Sequence, residues 1–187
     1  MATLTLDPRT ALVLVDLQKG ITGMPTAPHP ADEVVQRGAR LAAEFRRRGL
    51  PVVLVTVQGG APGRTAAGLG GRGERPADHA DLRPELDPQP TDIRVTKQNW
   101  GAFYGTSLDL ELRRRGVTQI VLCGIATRFG VESTARSAHE HGYHVTVAED
   151  ACTDMDADGH RASVDGVFPR LGETGSADEV VAALPAA

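Results

Sequence analysis

Aromatic side chains and cysteines are both scarce in this sequence. Tryptophan, tyrosine and phenylalanine supply 4% of the 187 residues, and Cys123 and Cys152 are the only thiols. Two cysteines give neither a disulfide framework nor a thiolate cluster for a metal, which points to a reduced, cytoplasmic protein. Long apolar runs are missing as well: the stretch around Thr10 to Val15 falls far short of the roughly 20 residues a membrane span needs. The N-terminus shows no basic flank followed by an apolar segment and a small-residue cleavage site, so no secretory signal is expected. Nor is positive charge in excess. A formal net charge of −4 offers no field to phosphate backbones or anionic lipid. Nucleic acid and membranes are therefore excluded as expected partners, which leaves a small molecule.

What is present is a globular composition, 41% hydrophobic and 24% charged, in a length that suits one domain over residues 1–187. Ala11–Val15, Val52–Val57, Ile120–Cys123 and Val145–Val147 are continuous aliphatic or β-branched runs, the pattern of parallel strands buried on both faces. Ile93–Val95 and Arg170–Gly172 are shorter and read as less central strands. Helical spacing fills the gaps. Val34, Gly38, Leu41 and Phe45 form one stripe, Val131, Thr134, Ala135 and Ala138 another that Gly142 closes, and Ser176 with Glu179 has capping-box spacing ahead of Val180, Val181 and Leu184. The expected fold is a three-layer α-β-α arrangement on a six-stranded, mainly parallel, Rossmann-like sheet. Between Gly59 and Pro90 lie seven of the 21 glycines and five of the 12 prolines, which predicts a long loop. Such a loop is either a lid over a pocket or a plain surface excursion.

In an open parallel sheet the site lies beyond the carboxyl ends of the strands. Asp16, Gln58, Lys97 and Gly124-Ile125-Ala126-Thr127 stand there. Asp16 follows five apolar residues, so burial opposes its charge while Lys97 favours it, a combination that suits a tuned proton donor or acceptor and equally suits a structural ion pair. Arg128-Phe129-Gly130 opens the next helix, where backbone N–H groups can face an anion; a plain helix start reads the same way. Trp100, Phe103, Tyr104 and Phe129 fall near these positions, as a wall for a small ring or as core packing. The six histidines have no metal-ligand spacing, and Asp16-Leu17-Gln18-Lys19-Gly20 is not a Gly-rich dinucleotide loop. No metal and no cofactor are expected.

Three blocks carry a resemblance: Val13-Leu14-Val15-Asp16-Leu17-Gln18, then Val95-Thr96-Lys97 with Gly101-Ala102-Phe103, then Gly124-Ile125-Ala126-Thr127 with Val131-Glu132-Ser133-Thr134-Ala135. Together they resemble the motifs of the isochorismatase-like, or cysteine hydrolase, superfamily. The resemblance implies that Asp16 and Lys97 belong to a catalytic set whose third member is a cysteine at the start of the third block. Gly130 occupies that place, as glycine does in isochorismatases, whose proposed chemistry protonates an enol ether and needs no thiolate. Cys123 and Cys152 do not replace it by position. By the same resemblance Gln58 and Arg64 would hold an acidic small substrate, a cis peptide would fall at Ile125-Ala126, and the chain would form a homodimer or higher homo-oligomer; Gln18, Trp100, Phe103, Ile125, Ala126 and Phe129, which lie beside these positions in the sequence, complete the expected substrate contacts. Two departures stand out: the family's serine before Ala102-Phe103 is Gly101, and Gln58-Gly59-Gly60 stands where nicotinamidases of the family show a D-x-H metal pattern. The expectation is an isochorismatase-type hydrolase; the alternatives are a ligand-binding pseudoenzyme or a hydrolase of another small molecule.

Overall fold

The computed structural model describes residues 4–66 and 75–185. Six strands form one sheet: β1 (Thr10–Val15), β2 (Val52–Val57), β3 (Ile93–Lys97), β4 (Gln119–Ile125), β5 (His144–Thr153) and β6 (Glu173–Gly175). Every pairing is parallel and the order is β3-β2-β1-β4-β5-β6. The central runs explain the order: β1 and β4 are buried at every position, as strands covered on both faces must be. The expected three-layer α/β architecture is the one observed.

Helix α2 (Ala31–Arg47) lies on the sheet face made by Leu12 and Leu14, with Val34, Gly38, Leu41 and Phe45 buried. Gly38 is small for a reason: a Cβ there would stand 2.9 Å from Leu17 and 3.1 Å from Leu14. Each fully buried aliphatic side chain in this layer contributes about 1.5–3 kcal/mol. Helix α6 (Ala177–Ala183) packs beside α2 on β5, opened by the predicted capping box of Ser176 and Glu179. Helix α4 (Glu132–Glu140) packs on β5, entered through a π-helical turn at Thr127–Val131 whose Gly130 approaches Val15 on the face opposite α2. Gly142, with φ of 81°, ends the chain's run out of α4. Three further helices, α1 (Lys19–Thr22), α3 (Leu108–Arg114) and α5 (Ala157–Gly166), complete the set.

Two expectations are corrected. Arg170–Gly172 is not a strand: Phe168–Arg170 forms a 3-10 turn that buries Phe168, and the edge strand follows at Glu173–Gly175. Strand β5 does not stop at Val147. It passes a register irregularity against β4 and runs to Thr153, which places Cys152 inside the strand. The predicted loop after β2 is a loop as far as it is described, with a 3-10 turn at Pro84–Leu86, and residues 67–74 of the proposed lid lie outside the described residues. Its far end is fastened down: Gly20 N–H donates to His79 O, Lys19 N–H to Asp81 O and Arg83 N–H to Leu17 O.

Candidate active site

Strand β1 ends by turning out of the sheet. Asp16 has φ of 55°, a left-handed conformation that aspartate tolerates better than most residues, and its side chain is buried at the carboxyl end of the sheet. Lys97, the last residue of β3, points to the face shared by Ile93 and Val95, and its ammonium meets Asp16 Oδ2 at 2.7 Å. The same ammonium donates to Asn99 O at 3.1 Å. Oδ1 of Asp16 is buried and has no hydrogen-bond partner among the described residues. Burial pushes the Asp16 carboxyl up to about 6, and the attraction and hydrogen bond of Lys97 pull only part of the way back. Desolvation therefore wins over a close opposite charge, and the group sits near the protonation balance that a proton donor needs.

Gly130 stands directly over this pair. A Cβ at that position would lie 3.0 Å from Val15 Cγ1, 3.3 Å from Asp16 Oδ2 and 3.6 Å from Ile125 O. The approach is made possible by Gly124, whose φ is 132° and where any Cβ would come within 2.1 Å of Val15 O. The Ile125-Ala126 peptide is cis, as the resemblance implies. Ala126 O accepts from both Phe129 N–H and Val131 N–H at 3.2 Å, which shapes the π-helical turn. Ile125 itself is fully buried in the core, so only its backbone borders the site.

Three contacts pin this turn from outside. Asp154, fully buried, accepts from Arg128 N–H and from Met155 N–H, each at 2.8 Å, and pairs with Arg128 Nε at 3.3 Å. Thr127 Oγ1 lies 2.8 Å from His160 Nδ1, and burial followed by the neighbouring His29 holds the His160 pKa below its ordinary value. Thr134 Oγ1 donates to Gly130 O and accepts from Ala102 N–H, tying the second block to the third. The departure at Gly101 has a local cause, since a Cβ there would press on Ser133 O at 3.3 Å.

The sequence-derived aromatic and polar contacts divide. Trp100, 65% exposed, meets Phe129 edge-to-face at 4.9 Å, and the Arg128 guanidinium lies 5.1 Å from the Phe129 ring. This pair stands beside Gly130. Phe103 does not: it is buried and stacks on His141 at 5.0 Å, beyond the far end of α4, roughly 15 Å along the helix from Gly130. Gln18 also departs from its expected role, because its carboxamide is fully buried and bonded to backbone at Val57 and His79. Gln58 leaves its side chain exposed and donates its N–H to Lys97 O, while Arg64 is exposed on the loop. Thr127 stands at the strand end where the sequence places it, whereas Asp154 and His160, which hold the turn, are not among the sequence-derived residues. Asp154 follows a strand just as Asp16 does, and placing the end of β5 correctly would have found it.

Among the described residues no group of three His, Cys, Asp or Glu side chains is arranged to hold a metal ion. Burial pushes the Cys123 thiol up to about 12 and Cys152 well above its ordinary value, so both stay neutral inside the sheet. No helix among the described residues is long and apolar enough to cross a membrane.

A parallel α/β sheet with an Asp–Lys pair beneath a helix-opening turn defines a hydrolase scaffold, and the comparisons give it a family. The isochorismatase domain model matches residues 10–179, and the chain belongs to the isochorismatase family, whose members are hydrolases. An isochorismatase family protein of Escherichia coli O157:H7, YecD, is 46% identical over 186 residues, covering 94% of this chain and 96% of that one. Among solved structures, an isochorismatase family protein from Burkholderia thailandensis superposes with a TM-score of 0.87 at 43% identity over 98% of this chain and 99% of the other. N-carbamoylsarcosine amidase from Thermoplasma acidophilum superposes with a TM-score of 0.76 at 28% identity, covering 91% and 97%.

Proposed function

We propose that the chain hydrolyses the enol ether of a small acidic metabolite, with Asp16 as general acid and no thiol nucleophile. The observation that carries this is Asp16 itself: one carboxyl oxygen is held by Lys97, the other is buried without a partner among the described residues, and Gly130, where a Cβ would stand 3.3 Å from Oδ2, occupies the place the resemblance gives to the nucleophile. An acid that donates a proton to substrate carbon needs a free oxygen, a raised pKa and space above it. Protonation of the vinyl carbon by Asp16 leaves an oxocarbenium ion. Water adds to that cation and gives up a proton, and the hemiketal collapses to a ketone and an alcohol while Asp16 recovers its proton from solvent. Lys97 steadies the carboxylate formed in the first step. The Trp100–Phe129 pair offers a flat apolar side for a ring, and Gln58 and Arg64 offer polar groups to carboxylates of the substrate.

Amide hydrolysis of the kind named for the Thermoplasma neighbour is the second reading, supported by that likeness and by a 37% identity over 102 residues to the ureidoacrylate amidohydrolase RutB of Variovorax paradoxus. With glycine at position 130 no acyl-enzyme forms there. Purified protein is incubated with isochorismate and pyruvate release is followed, beside Asp16→Asn. Turnover that Asp16→Asn abolishes while the fold is retained supports the proposal. Saturable binding without turnover indicates a ligand-binding protein, and amide turnover by the unmodified chain sinks the enol-ether reading.

A further inference from the structure

Strands β1 and β3 are not neighbours; β2 separates them, so the Asp16–Lys97 contact spans two strand spacings, about 10 Å. Lys97 is in register with Val57, and residues in register on parallel strands present their side chains to the same face. The ammonium therefore reaches Asp16 across Val57, and the height of the β2 end determines how the pair closes. That end has lost its neighbour. The last backbone bond between the two strands is Asp16 N–H to Val55 O at 2.9 Å, after which β1 turns away. Val57, two residues on, turns its own N–H and C=O to the same vacated side. Left unpaired in a part-buried position, they would cost as much as a lost hydrogen bond each.

The Gln18 side chain fills the gap. Its Oε1 accepts from Val57 N–H at 2.7 Å, its Nε2 donates to Val57 O at 3.1 Å, and the second Nε2 hydrogen goes to His79 O at 3.0 Å. A carboxamide carries the donor and acceptor of a peptide group; a carboxylate lacks the donor, and a thioether lacks the donor and accepts only weakly. We propose that Gln18 is a positioning residue: its carboxamide stands in for the strand residue that β1 gives up at Asp16, fixes Val57, and thereby sets the contact between Lys97 and Asp16. The link to His79 carries the same restraint into the fastened end of the long loop. This inference rests on the Asp16–Lys97 pair being the working centre, so its test is read on the pair and not on turnover.

Two measurements test it. In the unmodified protein, hydrogen exchange of the Val57 amide is expected to be as slow as that of Val55 inside the strand; exchange at the rate of an open loop overturns the clamp. In Gln18→Met, which keeps the volume and adds no charge, the Asp16 carboxyl is titrated by carbon-13 NMR. Lys97 is the charged group that meets Asp16 among the described residues, so a loosened contact moves the Asp16 midpoint upward, by about one pH unit, a tenfold change in its proton affinity. Gln18→Met, which takes away the acceptor of the Val57 N–H, is expected to lose the Val57 protection, and Gln18→Glu, which keeps that acceptor and removes only the donors to Val57 O and His79 O, is expected to retain it. An unmoved Asp16 midpoint in folded Gln18→Met overturns the proposal, and so does the failure of both variants to fold, which would make Gln18 a folding residue only. If the isochorismate assay fails while the Asp16 midpoint still moves, the function is wrong and the positioning role stands.

Discussion

Lys97 holds Asp16 at 2.7 Å, yet the carboxyl it holds is raised to about 6. In most exposed ion pairs the cation wins and the acid weakens its grip on the proton. Here the pair is buried at both ends, the desolvation of the carboxylate outweighs the attraction, and Oδ1 receives no compensating hydrogen bond from the described residues.

The first expectation is a pH–rate profile. If Asp16 acts as the acid, kcat/KM on isochorismate is level below pH 6 and falls tenfold per unit above its pKa of about 6. At pH 7 roughly a tenth of the limiting rate remains, one unit being a factor of ten. The opposite profile, rising through pH 6, would assign Asp16 as a base and discard the proton-donor mechanism.

Stability carries the same signature with a definite sign. The Asp16 pKa rises from 3.8 to about 6 on folding, so the folded chain holds this proton more tightly. Its contribution is full below pH 4 and is lost as pH rises through 6, by an amount on the order of 3 kcal/mol. Urea unfolding of the unmodified chain and Asp16→Asn at pH 4, 5, 6 and 7 reads it as the difference between the two. That difference declines between pH 4 and 6 and is flat above; no decline would mean the carboxyl is not raised.

Gly130→Cys should fold, because the new Cβ meets Val15 Cγ1 at 3.0 Å and needs a shift of only a few tenths of an ångström. Overpacking of this size costs about 1–3 kcal/mol. The thiol would stand against Asp16 in the space the proton-donor mechanism requires. Enol-ether hydrolysis is expected to drop at least about tenfold, the equivalent of roughly 1.4 kcal/mol in the barrier, and burst-phase amide hydrolysis to appear. Thermal melts and product assays on an enol ether and an amide decide it.

Gly124→Ala is the severe case. Its φ of 132° resists any side chain, and the Cβ would fall 2.1 Å from Val15 O, a backbone atom with nowhere to go. A loss of about 3 kcal/mol or more is expected, from strain together with steric overlap. A variant as stable as the parent in denaturant melts would show that β4 does not press on β1 as described.

The fold was legible wherever burial covers both faces of an element. The unbroken runs of β1, β2 and β4 and the Val34–Phe45 stripe announce themselves, because every position, or every third and fourth, is apolar. Beyond Val147 the signal fails: Ala148, Glu149 and Asp150 interrupt the run at the irregularity in β5, so the end of the strand and Asp154 after it were lost. That Asp16, Lys97 and Gly130 meet was legible because strand ends and motif blocks point to them. Phe103 and Gln18 were misplaced because sequence proximity to Lys97 and Asp16 says nothing about which way a side chain turns. Phe103 turned toward His141, and Gln18 into the sheet.

The strand order also interleaves the two halves of the chain. Strands β1 and β2, complete by residue 57, sit between β3 and β4, which are complete only at residues 97 and 125. As the polypeptide leaves the ribosome, its most apolar pair of strands therefore waits for a partner on the β2 side until residue 97 and on the β1 side until residue 125, the situation in which bare strand edges invite association with other molecules. Asp16 arrives in the first and Lys97 and Gly130 in the second, so a nascent chain acquires its chemistry only when the sheet is closed around its own beginning.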